Sequence, residues 1–272
     1  MNEQIQTAKD GIALIGEIMK AAGNNPNVKE AGSNLGQTAL TITKTINNLL
    51  LPIAAVNFAF DKARTYFAEQ FQQDLSTKAA AIPFEQLVEP KASIAGPALQ
   101  GLAFALEENN LKDMYLSLLA TAMDGRIAAE AHPAFVEIIK QLNSEEARLL
   151  QGLLRKPAFS PVVEIRKTTI GSEGWMVVES GLMNLCNLGT MAPVENPRSA
   201  AMIDNWVRLG LVQVSYTQYV TGAEAYAWVD QRPEYLRSKT QHENETIKVS
   251  FEKGSIWRTA LGFQFGRAVG LL

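Results

Sequence analysis

Two histidines, His132 and His242, and one cysteine, Cys186, are the chain's only imidazole and thiol groups. Standing apart in the sequence, they form no Ser/His/Asp, Cys/His or zinc-ligand spacing. His132 precedes Pro133 at an expected helix start, the place of a capping residue. His242 lies in the polar run Thr240-Gln-His-Glu-Asn-Glu245 and reads as solvated loop. Cys186 sits in the apolar context Leu182-Met-Asn-Leu-Cys-Asn-Leu-Gly189 and reads as a small buried core residue. Glu107, Glu108, Asp113 and Asp124 offer carboxylate oxygens for a hard cation. Glu107-Glu108-Asn109-Asn110 equally has the make-up of a polar turn and helix N-terminus, where acids favour the helix dipole. No phosphate-binding glycine motif is present. Gly262, Gly266 and Gly270 recur every fourth residue, so they line one helix face and imply close backbone packing. These patterns assign no catalytic, cofactor-binding or metal residue, and the expected protein is not an enzyme and carries no cofactor.

The composition is that of a folded chain. Of 272 residues, 47% are hydrophobic and 19% charged, enough for a sizeable core and for two domains. Net charge is −3. Residues 1–142 hold 11 Lys/Arg against 15 Asp/Glu (net −4), and residues 143–272 hold 14 against 13 (net +1). Neither half is a basic tail or patch, which argues against nucleic acid held by bulk charge. A single cysteine excludes an intrachain disulfide framework and suits a reducing, cytoplasmic setting. The N-terminus has acids at Glu3, Asp10 and Glu17 and does not read as a secretory signal. The longest uncharged apolar run, Leu49 to Phe60, is interrupted by Pro52 and Asn57 and is too short to span a bilayer.

The elements that must position these groups follow from periodicity. Apolar stripes at helical spacing run through Ile5–Ala22, through Val28–Leu49, and from Ile53 through Phe67 and Phe71 to Leu75. They predict a helical hairpin followed by a long helix. Pro83, Pro90 and Pro97 mark an irregular connector over 79–97. Helices are predicted near Ile94–Leu106, over Asn110–Met123, and after His132-Pro133. Another follows Asn143 and Ser144, with Glu146 placed for a capping box. The texture then changes. Pro161–Thr169, Leu211–Tyr216 and Ile247–Phe251 read as strands, and Arg198–Leu209 reads as a helix with Met202, Ile203, Trp206 and Val207 inward. Met183, Leu185 and Leu188 fall in a stretch that reads as irregular, and Ile256–Val269 reads as a closing helix. That order is winged-helix-like. Its would-be recognition helix offers Arg198, Asn205 and Arg208 but also Asp204, sparse for phosphate contact.

Within Ile94–Leu154 stand Pro97-Ala-Leu-Gln100, the pair Glu107-Glu108, Ala122-Met123-Asp124 and His132-Pro-Ala-Phe-Val-Glu-Ile-Ile-Lys-Gln-Leu142. Leu209-Gly210-Leu211 and Gly262 to Phe265 follow later. Together these resemble the abortive infection alpha family of bacterial phage-defence proteins. The resemblance implies killing or arrest of the infected cell and carries over no catalytic residue or cofactor.

The expected fold is therefore mainly α: an N-terminal helical bundle followed by a small α+β winged-helix-like domain. Its parts are a hairpin and long helix (1–80), a central helical segment (81–142) and the winged-helix-like domain (143–272). The expected function is a non-enzymatic effector or regulator of abortive infection, acting by protein contact or triggered membrane disturbance. A winged-helix DNA-binding regulator is the first alternative and an unrecognised hydrolase the second. Self-association or a protein partner is expected. The balanced charge of residues 1–50 ranks resting membrane binding below self-association or intrachain packing, with insertion only after activation.

Overall fold

The structure, a computed structural model, describes residues 61–187 and 189–272. The stripes over Ile5–Ala22 and Val28–Leu49, and the start of the third, lie outside the described residues. Two compact units emerge. One holds the described residues up to Arg148 together with Gln264–Leu271, and the other holds Leu149–Phe263.

From Asp61 to Arg148 the first unit is helical. Its helices are α1 (Asp61–Glu69), α2 (Phe71–Ala79), α3 (Ala92–Phe104), α4 (Asn109–Met123), α5 (Pro133–Ile139) and the start of α6 (Ser144–Leu154). α4 buries Leu111, Met114, Tyr115, Leu118, Leu119, Ala122 and Met123, and even Leu116, Ser117 and Ala120 are covered. A helix enclosed on nearly every face is a core element. α3 lies against it closely because Gly101 has no side chain: a Cβ there would sit 2.5 Å from the Tyr115 ring. The expected long third helix is broken at Gln70, and Tyr66, Phe67 and Phe71 meet edge-to-face around the break at 5.1–6.2 Å. The proline-marked connector ends earlier than its spacing predicts. α3 starts at Ala92 and takes Pro97 into its interior. The predicted capping box forms: Asn143 N donates to Glu146 Oε2 at 3.0 Å and Glu146 N to Asn143 Oδ1 at 2.9 Å.

The second unit is built on a sheet. Its strands are β1 (Ser160–Thr169), β2 (Trp175–Met183), β3 (Val212–Ser215) and β4 (Ile247–Arg258). They pair antiparallel in the order β2-β1-β4-β3 and curl into a half-barrel. β1 and β4 pair over ten positions, from Ser160↔Ile256 to Thr169↔Ile247. On one face Val163, Ile165, Leu182 and Val249 form a core with Tyr226, Val229 and Tyr235, which come from the turn at 227–231, the residue before it, and α8 (Pro233–His242). The other face receives α7 (Ser199–Arg208), with Met202, Ile203 and Trp206 buried.

This corrects the expected fold, a mainly helical chain with a small winged-helix domain. A winged helix carries a short hairpin, whereas here strands of nine to twelve residues make the sheet the centre of the unit. Two misread segments account for the difference. The stretch ending at Met183 is strand β2, its alternation broken twice, at Val178 and where Ser180-Gly181 faces Glu164, with Gly181 at φ +67°. Ile256–Arg258 continue the β4 ladder opposite β3, so the last helix, α9 (Ala260–Ala268), begins only after Thr259. Thr259 Oγ1 there accepts from Gly262 N at 2.8 Å. Gly210, at φ +72°, ends α7 with the 6→1 bond from Leu211 N to the Trp206 carbonyl, a conformation open to glycine.

Candidate functional site

The carboxylates that could have shared a cation are held apart, each by its own partner. Glu107 pairs with Lys62, which holds its carboxyl below the usual range. Glu108 accepts from Ser144 N and Oγ at 3.2 and 3.0 Å. Asp113 pairs with Lys78 at 2.6 Å. Buried Asp124 takes Nε and Nη2 of Arg126 at 2.8 and 2.6 Å, and those hydrogen bonds lower its pKa. Among the described residues no group of three or more His, Cys, Asp or Glu is placed to hold a metal ion.

The imidazoles and the thiol are also apart. His132 is exposed, its Nδ1 accepting from Ala134 N at 3.1 Å as the cap of α5. His242 is not in a loop but is the half-buried last residue of α8. Cys186 is half-buried, bridged to Pro193 across a tight loop, and not in the core. On α7, Val207 is 43% exposed, unlike its expected inward position. Arg208 gives Nη2 to Asn205 Oδ1 at 2.6 Å.

Two charged clusters that motif reading missed lie in the sheet unit. In the first, Arg166 bridges two strands. Its Nε donates to Glu164 at 2.6 Å and its Nη1 to Glu252 at 2.6 Å, and Trp175 stacks at 4.5 Å from the guanidinium. Glu164 and Glu252 are register partners across β1 and β4, so two carboxylates share one cation. Glu164 is buried and Glu252 half-buried. In the second, Arg232 is 1% exposed. It binds both oxygens of buried Glu234 and donates to the Leu185 and Val194 carbonyls at 2.7 and 2.9 Å, closing the 185–194 loop. Burial, then the charge of Glu234, pushes the neighbouring Glu179 carboxyl up. The signal for the first cluster was present in the sequence: Glu164 and Arg166 stand two apart on one strand, hence on one face. Nothing local marks Glu252 as their partner.

The edge of the sheet begins at Trp175, whose ring also stacks on Arg166 of the first cluster. Trp175 is 56% exposed, Met176 64% and Val177 50%, three consecutive apolar residues on a strand with no partner on its outer side among the described residues.

The sequence pattern of the abortive infection alpha family matches residues 63–269, which include both units, both clusters and the β2 edge. The chain belongs to the abortive infection alpha family. Membership ties it to abortive infection, a phage-defence response. The described α3–α5 segment holds the motifs from Pro97 to Leu142 that resemble the family, and in the abortive infection alpha chain they are packing and capping residues: Leu99 and Phe135 are fully buried, and His132 caps. No curated protein and no solved structure matches the chain. Among the described residues no helix is long and apolar enough to cross a membrane.

Proposed function

We propose that this chain acts in abortive infection by protein contact and not by catalysis, through the outer edge of β2 docked against a second copy of itself. The observation that carries this reading is the exposed apolar edge at Trp175–Val177, the part of β2 that precedes its bulges. Sheet edges are ordinarily blunted by lysine, proline, bulges or shortness. β3, at the opposite edge, has four residues. β2 has nine, and its first four, Trp-Met-Val-Val, carry neither charge nor proline. An antiparallel strand can pair with its own copy about a two-fold axis. Centred on Met176, such a pair sets Trp175 opposite Val177 and uses only the stretch before the first bulge. Among the described residues, by contrast, Glu107, Glu108, Asp113 and Asp124 are each engaged by a partner of their own.

Plating of phage on cells that produce the chain tests this. The Met176→Lys/Val177→Lys double variant, shown to be folded by circular dichroism, is expected to lose protection, and Glu252→Gln is expected to keep it. Full protection by the double variant would overturn the contact reading. Loss with folded Glu252→Gln would favour chemistry at the Arg166 cluster.

A further inference from the structure

The helical unit contains a pocket of about 420 Å³ between α3, α4 and α5. That size falls within the roughly 300–1,000 Å³ of small-molecule sites. Tyr115 forms its floor. The residue is 2% exposed and lines the pocket. The hydroxyl lies against Gly101, where a Cβ would stand 2.5 Å from it, so the missing side chain is what leaves it open to the pocket. Burial, then the charge of Glu137, raises the Tyr115 pKa, and the group stays a neutral donor. Leu111, Ile139 and Leu142 supply apolar wall. Gln100 and Lys140 stand at the mouth, the latter paired with Glu137 at 2.9 Å.

We infer that this pocket binds a small, largely apolar molecule whose hydrogen-bond acceptor, a carbonyl or comparable oxygen, seats on the Tyr115 hydroxyl. The shape fits a single ring or short chain inserted acceptor-first, its polar end left toward Gln100 and Lys140. This site is independent of the β2 edge.

Acetophenone and ethylbenzene, which differ by one carbonyl, are suitable probes for saturation-transfer NMR on the full chain. Both are expected to bind, acetophenone more tightly. Tyr115→Phe removes the donor and keeps the ring. It should weaken acetophenone about 3–10-fold, matching a hydrogen bond of about 0.5–1.5 kcal/mol, and leave ethylbenzene unchanged. Gln100→Trp, at the half-buried mouth, should abolish binding of both without touching the core. Absence of saturation transfer to the wild-type chain would overturn the inference. So would acetophenone affinity that is equal in the wild-type and Tyr115→Phe chains, or unaffected by Gln100→Trp.

Discussion

The helical unit and the sheet unit are stabilised in different ways. In the helical unit the buried material is mostly apolar, gathered around α4, and its ion pairs keep their cation at or near the surface, as Arg126 does beside buried Asp124 and Lys112 beside Asp74 at 2.7 Å. In the sheet unit a guanidinium is fully enclosed, and it joins Glu234 to two backbone carbonyls, at 185 and 194, across the loop that Val194 N already closes onto the Leu185 carbonyl at 2.9 Å. Packing of apolar stripes tolerates small adjustments. A buried charge does not, because removing one partner strands the other in low dielectric. The difference predicts that the sheet unit fails through single polar substitutions and the helical unit through volume changes.

The sharpest test is Arg232→Met. Glu234 would be left buried and without Arg232, and the Val194 carbonyl would lose its guanidinium donor while the Leu185 carbonyl keeps Val194 N, so urea denaturation should show a loss of about 3–5 kcal/mol. Lys112→Met, its counterpart in the helical unit, should cost about 0.2–1 kcal/mol. Equal losses would remove the contrast between the units.

Backbone approach gives the next effect. Gly262→Ala would set a Cβ 2.0 Å from the Leu211 carbonyl oxygen, and the forced shift of α9 should cost about 1–3 kcal/mol in the same assay. Gly96→Ala in α3 meets no atom within 4 Å and should instead stabilise by about 0.4–1 kcal/mol.

His132→Ala comes next. Losing the cap of α5 should lower thermal stability by about 0.5–1 kcal/mol and leave phage plating unchanged. Loss of protection by a folded His132→Ala chain would return the imidazole to the list of functional groups.

The smallest effect is in pH dependence, and the two units carry opposite signs. Asp124 has a lowered pKa from its hydrogen bonds with Arg126, so its contribution is complete above the unfolded carboxylate value and is lost as pH falls through the folded one. Glu179 has a raised pKa, chiefly from burial, so its ionisation opposes folding as pH rises through the folded value and is relieved on acidification. Urea midpoints followed from about pH 7 to about pH 3 should show Asp124→Asn flattening the acid loss and Glu179→Gln steepening it.

The same division explains what could be read from the residues alone. Helical periodicity is local, so α4, α5 with its His132-Pro133 start, and the Asn143/Glu146 capping box were legible. So was the end of α7 at Gly210, because a left-handed residue after an amphipathic helix is a local signal. The sheet was not. Val178 and Ser180-Gly181 break the alternation of β2 at its bulges. Glu252-Lys253-Gly254 makes β4 look finished after Phe251 although its ladder runs on to Arg258. Of the sites, the carboxylates at 107, 108, 113 and 124 were legible as residues, while their separate partners Lys62, Ser144, Lys78 and Arg126 were not all predictable from spacing. The Arg166 cluster depends on Glu252, 86 residues away, and the Tyr115 pocket on the absence of a side chain at Gly101. Pairings of that range are set by tertiary register, which one-dimensional patterns do not encode.

The β2 edge joins these strands of argument, because it is the surface on which the proposed contact depends. Sedimentation equilibrium of the wild-type chain beside the Met176→Lys/Val177→Lys variant measures that contact directly. The account predicts the mass of a self-associated species for the wild type and the mass of a single chain for the variant, both folded by circular dichroism. A single-chain mass for the wild type, or an associated mass that the two lysines leave unchanged, would contradict it.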